Sequence, residues 1–209
     1  MAPIPSSNMP GHHQLHERAV FALNRCQESQ GVDFKESAPW DALKWRIIKT
    51  VLGMGNLRDG GIIVIGVSER GKTWELTGIS RKHLATYDVD VVVSVTNSYA
   101  SPHVDLDIVT LQYSGGKAFL VIKANEFTDS PLVCKKNGPR EAGLLEGSVY
   151  VRPPGIARTT RVTNAAQMHD LLELAAEKRA RRILEVSRRI GLVPESSMAQ
   201  RFDDELEGL

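Results

Sequence analysis

The feature that most constrains this chain is a short continuous apolar stretch, residues 62–67, introduced by Gly60-Gly61. Most of its side chains are β-branched, which stiffens χ1 and favours an extended backbone. It lacks the alternation of a strand with one wet face, so it predicts a strand buried on both faces. The glycines before it read as a tight turn in which Gly60 and Gly61 permit positive φ.

The neighbouring segments fall into place around that strand. Leu15, Ala19, Leu23 and Cys26 recur at helical spacing over residues 14–27, and Gly31 ends the run. Residues 32–35 are a short extended segment. Residues 41–54 predict an amphipathic helix with Leu43, Ile47, Ile48, Val51 and Leu52 on its apolar stripe; Pro39 suits the entry. Residues 68–72 read as a turn and 74–77 as its return strand. Residues 105–113 alternate, Gly115-Gly116 turn the chain, and 118–124 complete a hairpin. Short strands are expected at 131–135 and 148–152, the latter stopped by Pro153-Pro154. Residues 88–99 stay open: Val89, Val91, Val92, Val93 and Val95 favour a strand by propensity, whereas the flanking turns also fit a helix. Residues 164–190 predict one long helix that Asn164 can cap.

This order of elements gives an α+β fold: a mixed or antiparallel sheet with packed helices and a long C-terminal helix. With 209 residues, 42% hydrophobic and 24% charged, the chain suits one domain of ordinary size with an appended helix. The expected layout is a disordered lead-in over 1–13, a domain over 14–175, and a basic helical extension with an acidic tail over 176–209. No apolar run reaches bilayer length and the start lacks a signal-peptide layout, so a cytoplasmic protein without membrane contact is expected. Cys26 and Cys134 lie in no CxxC or Cys/His ligand spacing, which argues against structural zinc. The net charge is only +1, so nucleic-acid binding would have to rest on local basic patches.

Four motifs in order carry a family resemblance. Glu28-Ser29-Gln30-Gly31-Val32-Asp33-Phe34-Lys35 resembles the opening motif Glu-Ser-x-x-(apolar)-Glu-Phe-Lys of the Schlafen-type, Alba-like (AlbA) domain. Asn56…Gly60-Gly61 and Gly66-Val67-Ser68-Glu69-Arg70-Gly71 resemble its central core, and Gly78 fits the glycine closing that hairpin. Gly147-Ser148-Val149-Tyr150-Val151-Arg152 resembles its Gly-x-x-Tyr-x-Arg signature. The resemblance covers roughly residues 14–175 and favours the helix for residues 88–99. It implies a nucleic-acid-binding domain with RNA or DNA as partner, RNA ahead of DNA.

In Schlafen-type RNases three carboxylates at these motif positions are catalytic. The resemblance carries that role to Glu28, Asp33 and Glu69, which would hold Mg²⁺ or Mn²⁺ for metal-dependent endoribonuclease chemistry. Asp33 stands where the family commonly has Glu, and Glu69 where Asp is usual, so each carboxylate is displaced by about one methylene. The same acids are also accounted for as solvated groups at a helix end, a strand start and a turn. Lys35 is the matching candidate for stabilising developing charge, or else a solvated strand lysine. Lys44, Arg46, Lys49, Arg58, Arg70, Lys72 and Arg152 are candidate phosphate contacts; helical charge is more often simply a solvated face. Two other functions remain open: a non-catalytic nucleic-acid-binding module or regulatory subunit, and a scaffold that assembles through its C-terminal helix. Residues 176–190 offer a seam for a homo-oligomer or protein partner, flanked by Lys178, Arg179, Arg181, Arg182, Arg188 and Arg189. The acidic tail, residues 203–207, could mask that basic stretch.

Overall fold

A computed structural model describes residues 10–71 and 73–192. The predicted two-faced strand is its centre. Strand β2 (Gly61–Ile65) is fully buried and lies between β1 (Val32–Lys35), parallel to it, and β7 (Lys117–Ala124), antiparallel. Strand β6 (Leu106–Tyr113) pairs antiparallel with β7 and completes a mixed four-stranded sheet in the order β1-β2-β7-β6.

Alternation along β2 sends successive side chains to opposite faces. Ile62 and Val64 enter one core with Leu15, Ala19 and Leu23 of helix α1 (Pro10–Arg25) and with Phe34 and Phe119. Ile63 and Ile65 enter the other core with Leu43, Ile47, Ile48, Val51 and Leu52 of helix α2 (Trp40–Gly55). The sheet is therefore a middle layer, and β2 has no polar residue because neither face is wet. The stripe expected on residues 41–54 is the face that α2 buries.

The apolar run is not one strand throughout. Gly66, at φ +118°, breaks it. A Cβ there would sit 2.7 Å from the backbone carbon of Gly78, so the two chain segments approach too closely for any other residue. Beyond the break, β3 (Val67–Arg70) and β4 (Thr73–Leu76) form a separate antiparallel hairpin. Residues 68–70, expected in a turn, are thus strand, and the turn shrinks to the residues around Gly71. Of the Gly60-Gly61 pair only Gly60 takes positive φ (60°), following Asp59 at 63°. Gly61 is small for another reason: a Cβ would meet Met54 at 2.6 Å.

The valine-rich segment is a helix, α4 (Val89–Asn97), after the short α3 (Arg81–Leu84). Asp88 caps α4 by accepting from the Val91 N–H at 3.0 Å. Two-residue strands β5 (Ala100–Ser101) and β8 (Val133–Cys134) pair, as do β9 (Tyr150–Val151) and β10 (Thr160–Arg161). The strands expected at 131–135 and 148–152 are therefore shorter than the sequence suggests. Helix α5 (Ala165–Arg189) starts at Asn164, whose side chain accepts from the Gln167 N–H.

Helix α1 starts at Pro10, so residues 10–13 of the expected lead-in are helical. The acidic stretch 203–207 lies outside the described residues. Among the described residues, no helix is long and apolar enough to cross a membrane.

Candidate nucleic-acid interface and the buried acid cluster

The opening motif folds into the mouth of β1. Glu28 ends the turn after α1, and its Oε1 accepts the Phe34 N–H at 2.8 Å. Burial is the largest influence on this carboxyl and pushes its pKa up, opposed by that hydrogen bond, while the nearby Asp33 raises it further. Asp33 is buried and held from two sides. Arg152 Nη1 donates to its Oδ1 at 3.1 Å, and Lys35 Nζ contacts its Oδ2.

Arg152 was expected at a phosphate. Its side chain instead has no solvent exposure and its donors are engaged inside the protein. Nε donates to Gln30 O at 2.6 Å, and Nη2 donates to Ser29 O at 3.0 Å and Val32 O at 3.4 Å. The Gln30 amide returns a bond to Arg152 O at 2.5 Å. This guanidinium clamps the opening motif to the strand that carries the Gly-x-x-Tyr-x-Arg signature. Within that signature, Tyr150 is equally internal: its hydroxyl donates to Gly143 O and accepts the Leu145 N–H.

The cluster is close to electrically neutral within itself: Glu28 and Asp33 face Lys35 and Arg152. Glu69, the third expected ligand, is an exposed residue of β3, paired in register with Trp74. Among the described residues, no group of three or more His, Cys, Asp or Glu is placed to hold a metal ion. The three acids are not gathered into one ligand set; Asp33 is already paired with Lys35 and Arg152, and Glu28 is bonded to the Phe34 N–H. The residues present do not fit a Mg²⁺ or Mn²⁺ centre of the expected kind.

The remaining candidate cations are dispersed. Arg58 forms a two-pronged pair with Glu177 of α5, at 2.9 and 3.0 Å. Arg70 Nε reaches Glu75 Oε2 across its own hairpin at 3.2 Å. Arg46 is exposed on α2. Lys72 lies outside the described residues.

Lys44 and Lys49 behave differently, because they sit on a face that also carries aromatic rings. Trp45 of α2 meets Tyr99, just after α4, edge to face with ring centroids 5.4 Å apart. Lys44 Nζ lies 5.3 Å from the Trp45 ring centroid, and Lys136 Nζ lies 4.4 Å from that of Tyr99. Both rings are only partly buried. Lys135 joins the same edge through its N–H, which donates to Tyr99 O at 2.8 Å. Lys49 continues the line along α2 toward the 140–142 turn, with Nζ 5.7 Å from the Tyr150 centroid. Asp41 neutralises part of this face by pairing with Lys44 at 2.7 Å.

Trp45, Tyr99 and Lys136 were missed as functional candidates. The adjacent pairs Lys44-Trp45 and Lys135-Lys136 were the available signal. Nothing in the sequence placed Tyr99 between them.

The model of the Schlafen, AlbA_2 family matches residues 28–157, well over half of the chain. Among solved structures, the DIP2311 protein from Corynebacterium diphtheriae aligns with a TM-score of 0.50 at 16% identity over 76% of this chain. The alignment spans 32% of that protein. The N-terminal domain of a RecG-related protein from Nitrosomonas europaea aligns with a TM-score of 0.42 at 22% identity, over 73% of this chain and 93% of that domain. No curated protein matches. The matched stretch runs from the turn that holds Glu28, through the four-stranded sheet, past Arg152; the chain belongs to the Schlafen, AlbA_2 family.

Proposed function

We propose that this protein binds nucleic acid as a non-catalytic module, taking an unpaired stretch of RNA or DNA across the Trp45–Tyr99 face. The observation that carries this reading is the partly exposed aromatic pair with a lysine over each ring. Unpaired bases stack on aromatic side chains, and flanking lysines take the phosphates. A duplex hides its base faces and would not use the rings. The low net charge is compatible with this, because a few lysines on one face create a local field. RNA is the first substrate to test.

The endoribonuclease reading requires Glu28, Asp33 and Glu69 to share an ion. No observation favours it over the binding module, and no chemical step is derived from it.

The test is titration of labelled single-stranded RNA and DNA oligonucleotides and of a duplex, at several salt concentrations. Lys49→Glu and Lys136→Glu are surface changes that preserve the core. Each is expected to weaken single-strand binding about tenfold or more, as loss of a phosphate contact and gain of a repulsive charge dictate. Trp45→Leu should lose about 1–3 kcal/mol of binding free energy, the usual worth of one stacked base. Binding that is absent at low salt, or untouched by Lys136→Glu, overturns the reading. Mn²⁺-dependent cleavage lost in Glu28→Ala/Asp33→Ala would restore the nuclease.

A further inference from the structure

Trp45 and Tyr99 are held in place by the fold, not only by each other. Trp45 stands in the middle of α2. Tyr99 is fixed between α4 and β5: its N–H donates to Thr96 O at 2.9 Å, and its carbonyl accepts from the Lys135 N–H. Both rings pack against the core that α2 buries. Their mutual orientation is therefore set before any ligand arrives, and a bound strand has to follow it.

That orientation constrains the strand. The ring planes stand 80° apart, with centroids separated by 5.4 Å. Neighbouring bases of a stacked strand lie parallel, with about 3.4 Å of axis per nucleotide. A base laid on Trp45 is parallel to Trp45, and a base laid on Tyr99 is parallel to Tyr99. Two such bases are turned from one another as far as the rings are, so a continuous base stack cannot use both rings. Each ring also has its own cation, Lys44 beside Trp45 and Lys136 beside Tyr99. Lysine is a point charge on a flexible stem. As a base takes the ring face, the ammonium can swing to the phosphate of the same nucleotide. The two ring–lysine pairs are two nucleotide subsites set at an angle.

We infer that the Trp45–Tyr99 face takes two consecutive nucleotides with their bases unstacked from one another, and so selects weakly stacking pyrimidine strands over oligoadenylate. This selectivity rests on the nucleic-acid reading of the same face and names its substrate class: flexible, pyrimidine-rich single strand. The energetic reason lies in the free strand. Adenines already stack on one another, so for oligo(A) a base–ring contact replaces a base–base contact, and the step between the two subsites is lost as well. Uracils stack weakly, so for oligo(U) each base–ring contact replaces water. Stacking reads no base edge, and preferences on such platforms come from stacking strength and backbone flexibility.

The full-length chain is tested by competition, with oligo(U) and oligo(A) of equal length displacing a labelled mixed-sequence strand. Oligo(U) should compete at a concentration about fivefold or more below that of oligo(A), and oligo(dT) should likewise outcompete oligo(dA). In Trp45→Leu and in Tyr99→Leu, each checked for folding by circular dichroism, one ring remains and a stacked strand fits it, so the preference should fall toward parity. A ligand-side control needs no variant: oligomers of 5,6-dihydrouridine, whose non-planar base cannot stack, should lose most of the binding. Oligo(A) that competes as well as oligo(U), a preference unchanged in both leucine variants, or full binding of the dihydrouridine oligomer overturns the inference. Single-strand binding that is weakened by Lys136→Glu but indifferent to base identity sinks the selectivity alone. Absence of single-strand binding at low salt sinks the binding module with it.

Discussion

The Arg152 guanidinium neutralises the buried Asp33 carboxylate and donates to three backbone carbonyls, those of Ser29, Gln30 and Val32. Truncating it leaves all four acceptors short of a partner. Removing one member of a buried ion pair typically costs about 3–5 kcal/mol, so Arg152→Ala should be severely destabilised in urea unfolding. Arg152→Lys keeps the charge but loses the planar fork and should fall between the two. A purely surface arginine would give almost no change. Glu28 makes a second prediction, with the opposite pH logic to most acids. Its pKa is raised by burial, so the folded state holds this proton longer than the unfolded chain does. The stability linked to it is complete below the unfolded pKa and is lost as pH rises through the folded one. Glu28→Gln can still accept from the Phe34 N–H but cannot ionise. Its urea midpoint relative to wild type should therefore rise as pH climbs above the ordinary glutamate value of about 4.3. A flat difference would show that Glu28 titrates alike in both states.

At the scale of elements, α4 shows where local preference was overruled. Its valines are β-branched and favour strands, yet Val92 and Thr96, one turn apart, are the positions buried. Helical spacing puts these two on the same side, against α2, and leaves Ser94 between them exposed, whereas a strand would turn Ser94 to the same face as both. A nine-residue valine-rich helix has little intrinsic stability, so its cap matters. Asp88→Ala should cost about 1 kcal/mol, read as a lower urea midpoint; Asp88→Asn should recover most of it. The central apolar run was cut by a comparable long-range constraint. Residues 62–65 needed only periodicity to be read, but the break at Gly66 depends on Gly78, which closes from the next hairpin.

For the whole molecule, the α+β fold, the two-faced central strand, the β6–β7 hairpin and the long capped C-terminal helix were legible in the sequence, and so was the family. Apolar spacing records which side of an element is covered, and glycines and prolines record where the chain must turn. Neither records which charges meet. Asp33 and Arg152 are 119 residues apart and become a buried pair only after β1 and β9 are in place. Arg152 therefore read as a phosphate ligand and is a clamp. Glu28, Asp33 and Glu69 read as one site and are a carboxyl bonded to a backbone N–H, a neighbour paired with Lys35 and Arg152, and an exposed hairpin acid. Conversely, Trp45, Tyr99 and Lys136 are unremarkable where they stand in the chain and share one face only when α2, the end of α4 and the segment after β8 converge. The chain's own pattern determined its layers, because burial is periodic along each element. Tertiary structure decided which charged and aromatic groups remain available for a ligand, because that depends on distances between elements that no local pattern encodes.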